Sequence, residues 1–279
     1  MDSNKREVLS TLAYYDIFEY PLKIAEIEKY LPKKISSIQL QKSLKSKAIG
    51  HQRDYFFLKG REYIVDQRKK REEISMKKLQ KAQKLVKFLS KIPTIQYVGI
   101  SGSLAMYNAK KNDDIDLFII TSTNRLWTSR LLVNGILVLL GKLRRFGSKT
   151  NQDSFCTNMW IDMDHLSFSQ ARKNIYTAHE IVQLITLCNK NYTYQQFLIA
   201  NDWIKHLLPS INISVSNISN RKAKKGNVIE LVAKNLQLWY MKKHQTTEIV
   251  TEGFVAFHPD DYTKKILYEW QKRIKKYDI

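Results

Sequence analysis

Cysteine is nearly absent. Cys156 and Cys188 are the only two in 279 residues, far apart and without a partner at metal-ligand spacing. That excludes a disulfide framework and a cysteine-held zinc site as organising features, and a reducing, cytoplasmic setting is expected. The opening MDSNKREVLS lacks the apolar core of a secretory leader. Long hydrophobic runs are missing too. The most apolar stretch, Leu126 to Leu143, carries Arg130 and Asn134 inside and Gly141 near its end, so a core helix is expected there and no membrane span. No internal repeat is visible. Acidic side chains are scarce, 26 against 47 Lys and Arg, for a net charge of +21. Such an excess favours a polyanionic partner, whether nucleic acid, nucleotide or an anionic surface. Part of it reflects coding bias, because the chain is rich in Lys, Asn and Ile and has only 9 glycines and 5 prolines.

What is present is a folding chain. A hydrophobic content of 43% with 11% aromatics is that of a globular protein, and the length suits two or three units of roughly 100–150 residues each. Residues 1–66 form the first expected unit. REVLSTLAYYD sets Val8, Leu9, Leu12 and Ala13 on one helical stripe, PLKIAEIEKYL opens a second helix at its proline, and SSIQLQKSLKSKAI starts a third behind a serine cap. DYFFLKGREYIV then reads as two short strands about Lys59-Gly60. Three helices and a hairpin are similar to a winged helix, whose third helix would offer Gln41, Lys42, Lys45 and Lys47 to DNA. A solvated face on a partner-binding or structural unit accounts for the same lysines.

Residues 67–92 are expected as a connecting helix, with Leu79, Ala82, Leu85, Val86 and Leu89 on its apolar stripe and Pro93 at its end. Strands and helices then alternate over 93–166: IQYVGIS, IDLFIIT, the apolar helix and SFCTNMWID. The remainder, 167–279, reads as a helical region interrupted by a polar connection from Pro209 to Gly226.

The chemistry concentrates in GISGSLAMYNAKKNDDIDLFII, residues 99–120. Period-two alternation places Asp114 and Asp116 on one strand face and Ile115 and Leu117 on the other. Two carboxylates so placed repel each other unless a hard cation is shared between them, and Mg²⁺ characteristically joins one or two carboxylates to substrate phosphates. Gly102 lets the backbone approach a phosphate closely, and Ser103 adds a hydroxyl and an N–H at the start of a short helix. Ten residues separate Ser103 from Asp114, enough for that helix and a return loop.

Gly-Ser, a ten-residue gap and Asp-Ile-Asp together resemble the signature of the polymerase-beta-like nucleotidyltransferase superfamily. Ser101 replaces the hydrophobic residue usual before the glycine. The order of winged helix, core and helical tail is also similar to an uncharacterised bacterial group within that superfamily. The resemblance implies an α/β (α+β) nucleotidyltransferase core, with an N-terminal winged-helix domain and a helical C-terminal region. It further implies that Asp114 and Asp116 hold two Mg²⁺ ions and that Gly102 and Ser103 hold the phosphates of a nucleoside triphosphate. An acceptor hydroxyl would attack the α-phosphorus and release pyrophosphate. Such acceptors include small hydroxylated molecules, RNA ends and protein hydroxyls, and the positive charge favours nucleic acid. A nucleic-acid-binding regulator with a nucleotide-sensing or inactive core is the competing class.

Active members usually carry a third carboxylate on the next core strand. NQDSFCTNMWIDMD has Thr157 and Asn158 in its middle and acids only at its ends, where Asp153 is the chosen candidate over Asp162 and Asp164. Asp153 as a solvated loop residue and Asp162 as a turn former are the alternatives. Other features are weaker. His179-Glu180 resembles half a zinc motif, but position 183 is Gln, so a partly buried helix position is expected. Tyr176, Trp203, Trp239, Tyr240 and Trp270 recur at helical spacing and are expected mostly in the core. Arg221, Lys222, Lys224 and Lys225 fit a solvated loop better than a phosphate patch, and Arg125, Arg130 and Lys142 are no more specific.

Overall fold

The structure, a computed structural model, describes residues 2–144, 151–213, 228–242, 249–256 and 260–277, the side chains of 260–262 excepted. Its first elements are α1 (Ser3–Asp16), α2 (Ile24–Tyr30), α3 (Ser37–Leu44), β1 (Ile49–Gln52) and β2 (Tyr55–Leu58). Ser36 caps α3 by accepting from the Gln39 N–H, and Gln39 returns the bond to the Ser36 N–H, a reciprocal cap that satisfies two end groups. Val8, Leu9, Leu12 and Ala13 are buried as the helical stripe requires. The hairpin differs from expectation. Its strands run Ile49–Gln52 and Tyr55–Leu58 and turn at Arg53 and Asp54, with Arg53 at φ 57°. Lys59-Gly60 ends the hairpin, and REYIV opens the next helix. Ile64 and Val65 join Tyr55 and Phe57 in a small core of their own, which is why an apolar run there becomes helix.

That helix, α4 (Tyr63–Leu89), buries Leu79, Ala82, Leu85, Val86 and Leu89 against the sheet. Each large side chain so buried contributes about 1.5–3 kcal/mol. The next elements are β3 (Ile95–Ile100), α5 (Gly102–Ala105), β4 (Ile115–Thr121), α6 (Leu126–Leu139) and β5 (Phe155–Asp162). They are followed by α7 (Ile175–Val182), β6 (Ile185–Asn189), α8 (Thr193–Ala200), α9 (Ile204–Leu207), α10 (Val228–Lys242), β7 (Ile249–Thr251), β8 (Phe254–Ala256) and α11 (Asp260–Lys276). One mixed six-stranded sheet carries the order β6-β3-β4-β5-β8-β7. Among the described strands only β4 and β5 pair in parallel, joined through α6, as a parallel pair requires a crossover.

The alternation of β4 divides two cores. Ile115, Leu117 and Ile119 face the layer with α4 and α6, whereas Phe118 and Ile120 face the layer with α7 and α8. The span 167–279, expected as helical, supplies three of the six strands, so the core does not close at residue 166. Within that span, expected as helical, NIYTAHEIVQLITLCNK keeps its helix only to Val182, and ITLCN pairs antiparallel with β3. Part of the polar connection, residues 214–226, lies outside the described residues, with Arg221, Lys222, Lys224 and Lys225 in it.

The N-terminal unit is fastened to the rest by specific bonds. Trp270 on α11 donates its indole N–H to the Ser10 carbonyl, and Arg273 Nε reaches Asp16 Oδ2 at 2.9 Å. Tyr15 Oη lies 3.0 Å from His179 Nδ1 and accepts from Gln183 Nε2 at 2.9 Å. The apolar segment expected as a core helix is α6, whose Trp127, Val133 and Leu137 are buried. Glu230 of α10 accepts from the Trp127 and Thr128 N–H groups at the start of α6. Arg130 is buried and donates to Gln237 while Lys142 is exposed, so the basic trio shares no site. Among the described residues no helix is long and apolar enough to cross a membrane.

Candidate functional site

The glycine turn and the aspartate pair are built against each other. Chain direction reverses at Gly102, which sits at φ +64°, a conformation side chains disfavour. A Cβ there would lie 2.7 Å from Asp116 Oδ2, too close for any other residue without displacing the carboxylate. The Ser101 N–H donates to the Asp116 carbonyl at 3.0 Å, tying the turn to the first residues of β4. Ser103 Oγ donates to Asp113 Oδ2 at 3.2 Å, and the Lys110 N–H reaches the same oxygen at 2.8 Å. Asp113, the first aspartate of NDDID, therefore shapes the return loop and leaves the other two for chemistry.

Oxygens of Asp114 and Asp116 and the Sγ of Cys156 lie within 4.8 Å of one another. Cys156 stands across from Asp116 in the parallel register of β4 and β5. Burial pushes the Asp116 carboxyl up to about 7; the negative charges of Asp114 and Glu180 add to that rise, while Arg144 and a hydrogen bond from the Cys156 thiol offset part of it. One Asp116 oxygen, Oδ1, is buried without a hydrogen-bond partner. Burial, then the charge of Asp116, also raises the Cys156 thiol, so it stays protonated and serves as a donor. Arg144 Nη1 pairs with Asp114 Oδ2 at 3.0 Å from a partly exposed position, as a counter-charge at the rim. Two like charges, one with an unpartnered oxygen, are a donor set that could hold a metal ion. A protonated thiol adds no hard ligand to it.

Asp153 does not join this group. It sits at φ 60° in the turn before β5, and its carboxylate bonds Lys78 Nζ at 3.0 Å and Lys81 Nζ at 2.5 Å. Burial opposes ionisation there, but the Lys81 and Lys78 bonds outweigh it and hold the carboxyl below its ordinary range. The 3%-exposed side chain of Lys78 explains the arrangement: a buried ammonium needs an acid, and Asp153 is that acid. Asp162 is remote as well, at the far end of β5, where it contacts His165 Nδ1 at 2.6 Å.

The further acid whose charge acts on Asp116 is Glu180, which sequence reasoning passed over as half of a failed zinc motif. It lies on α7, started by Asn174, which accepts from the Thr177 N–H at 3.0 Å. His179 beside it is buried, packed on Tyr14 and Tyr15, and burial followed by the charge of Lys29 depresses it to about 3, so it is neutral. Glu180 faces the other way, into a cavity of about 640 Å³, and burial pushes its carboxyl up to about 7. Ser101 and Asn158 line the same cavity, and Ser101 Oγ and Asn158 Oδ1 are buried without hydrogen-bond partners. A half-buried acid on the helix face of Tyr176 and Thr177 carries no sequence mark of this role.

Gln41, Lys42, Lys45 and Lys47 are all exposed on and just after α3. Trp203, Trp270 and Tyr176 pack at the edges of the cores as expected, whereas Trp239 and Tyr240 are more than half exposed. Comparison with protein-family models, with curated proteins and with solved structures finds no match to this chain.

Proposed function

We propose that the protein is a Mg²⁺-dependent nucleotidyltransferase of the polymerase-beta-like kind, moving a nucleoside monophosphate from a nucleoside triphosphate to an acceptor hydroxyl. The observation that supports this reading is the contact of the Gly102 turn with Asp116, which sets a glycine turn at the start of a short helix beside a carboxylate pair. Asp114 and Asp116 would hold the ion and Gly102 and Ser103 the phosphates. When bound, the ion would supply charge neutralisation on the phosphates and acidify the attacking hydroxyl. The residues fit one ion directly. Among the described residues β5 offers no third carboxylate within reach, so the second ion implied by the resemblance has no further acid from that strand.

The chain's own contributions are positional and electrostatic. Arg144 would exchange its bond to Asp114 for a phosphate oxygen, and the buried setting of Asp116 would strengthen the charge interactions made there. Incubation with each α-labelled nucleoside triphosphate, Mg²⁺ and cell extract tests the reading. Label should pass to an acceptor, and Asp116→Asn should abolish the transfer.

A second reading rests on the exposed Gln41, Lys42, Lys45 and Lys47 beside a β-hairpin, which fit a winged helix on duplex DNA. There the protein would be a regulator whose core senses nucleotide. Duplex binding with a steep salt dependence that Asp114→Asn leaves unchanged would favour it.

A further inference from the structure

The cavity beside the aspartate pair has an uneven lining. Phe118, Met159, Phe168, Ile181, Leu184 and Leu267 make most of its wall. Polar side chains also line it, the cations Arg172 and Lys264 among them, and three belong to the end near the aspartate pair: Ser101 adjoins the Gly102 turn, Asn158 follows Cys156 on β5, and the charge of Glu180 is felt at Asp116. Ser101 Oγ and Asn158 Oδ1 are orphaned inside the protein. Among the described residues no hydrogen bond or ion pair engages the Glu180 carboxylate. Buried polar atoms without partners are costly and rare in native proteins, and two of them beside an unengaged carboxylate favour a ligand at this end of the cavity.

A volume of about 640 Å³ lies in the range of small-molecule sites, and an apolar wall with a few convergent polar groups is their usual chemistry. Polynucleotide sites are built otherwise, as open basic grooves with exposed aromatic platforms. This space has more apolar than charged lining, with Arg172 and Lys264 its only cations among the described residues, and its carboxylate would repel a phosphodiester chain.

We propose that this cavity receives the acceptor, a small molecule with a largely apolar body, and that Glu180 takes the proton from its reacting hydroxyl. The proposal rests on the nucleotidyl-transfer reading. In the step, the acceptor oxygen forms a bond to the α-phosphorus and the bond from that phosphorus to the pyrophosphate oxygen breaks. The hydroxyl proton passes to the Glu180 carboxylate and from there to water. The raised carboxyl of Glu180 suits this exchange near neutral pH.

The test uses the full chain with Mg²⁺, α-labelled nucleoside triphosphates, and separate low-mass and macromolecular fractions of a bacterial lysate. Label is expected in a low-mass product that is retained on a reversed-phase column. Glu180→Gln should lower kcat for that transfer by at least about 100-fold while leaving nucleotide affinity within about twofold. Ala171→Trp, at an exposed position on the cavity wall, should instead raise the acceptor KM with kcat little changed. Label confined to nucleic acid or protein would overturn the proposal. So would nucleotide binding without any low-mass product, or Glu180→Gln at wild-type kcat. A wild-type chain that binds no nucleotide identifies the failure as that of the parent reading instead.

Discussion

Replacing Asp116 by asparagine should stabilise the protein while destroying its chemistry, and the size of the gain follows from the site. The carboxyl is raised from an ordinary 3.8 to about 7, first by burial and then by Asp114 and Glu180. An acid whose folded-state pKa is raised binds its proton more tightly when folded, so stability is full below about pH 4 and is lost as pH rises towards 7. At about 1.4 kcal/mol for each tenfold step, the full rise corresponds to about 4 kcal/mol. Losing the Cys156 hydrogen bond takes back about 1 kcal/mol. Asp116→Asn should therefore gain about 3 kcal/mol at pH 8, on the order of 5–10 °C in Tm for a chain of this size. At pH 4 the gain should vanish and leave the variant less stable by about 1 kcal/mol, the lost Cys156 bond. The difference between variant and wild type is the quantity to measure, because Glu180 falls in the same window and His179, depressed to about 3, runs in the opposite direction below about pH 6.5. Chemical denaturation of both proteins in chelator at several pH values provides it. Mg²⁺ at pH 8 should recover much of the deficit in wild type and do nothing for the variant. A difference that is flat with pH, or an asparagine variant less stable at pH 8, would refute the reasoning.

Other substitutions separate the site from its surroundings. Gly102→Ala forces a side chain into a left-handed conformation and against Asp116 Oδ2; a loss of about 1–2 kcal/mol in denaturant unfolding and a marked loss of nucleotide affinity by calorimetry are expected. Asp153→Asn should leave label transfer within about twofold of wild type but cost about 2–4 kcal/mol, since Lys78 keeps only the Asp113 carbonyl as partner. Tyr15→Phe removes the bonds to His179 and Gln183 that hold α7 to the N-terminal unit; unfolding should show a loss of about 1–3 kcal/mol.

The parts legible in sequence are those decided within a few residues. The α4 stripe, the start of β3 after Pro93 and the two-faced alternation of β4 follow from local periodicity, and Gly102 with Asp116 follows from spacing. What was not legible depends on distant pairing. β6 is an edge strand with a mixed, half-buried pattern, so ITLCN has no clean alternation to set it apart from the helix before it. β1 contains Gly50, His51 and Gln52 and becomes a strand only by pairing with the apolar β2. Asp153 was drawn to the site by its place before β5, yet a buried lysine 75 residues away in sequence claims it. Glu180 carries the opposite lesson: its character comes from the cavity around it, which no neighbour in sequence announces.

The central claim is that the Gly102 turn and the Asp114–Asp116 pair form one nucleotide and metal site. Calorimetric titration of a non-hydrolysable nucleoside triphosphate tests it most directly, with and without Mg²⁺, on wild type and on Asp116→Asn. The account predicts binding by wild type only when Mg²⁺ is present and none by the variant. Absence of Mg²⁺-dependent binding in wild type, or equal binding by Asp116→Asn, would contradict it.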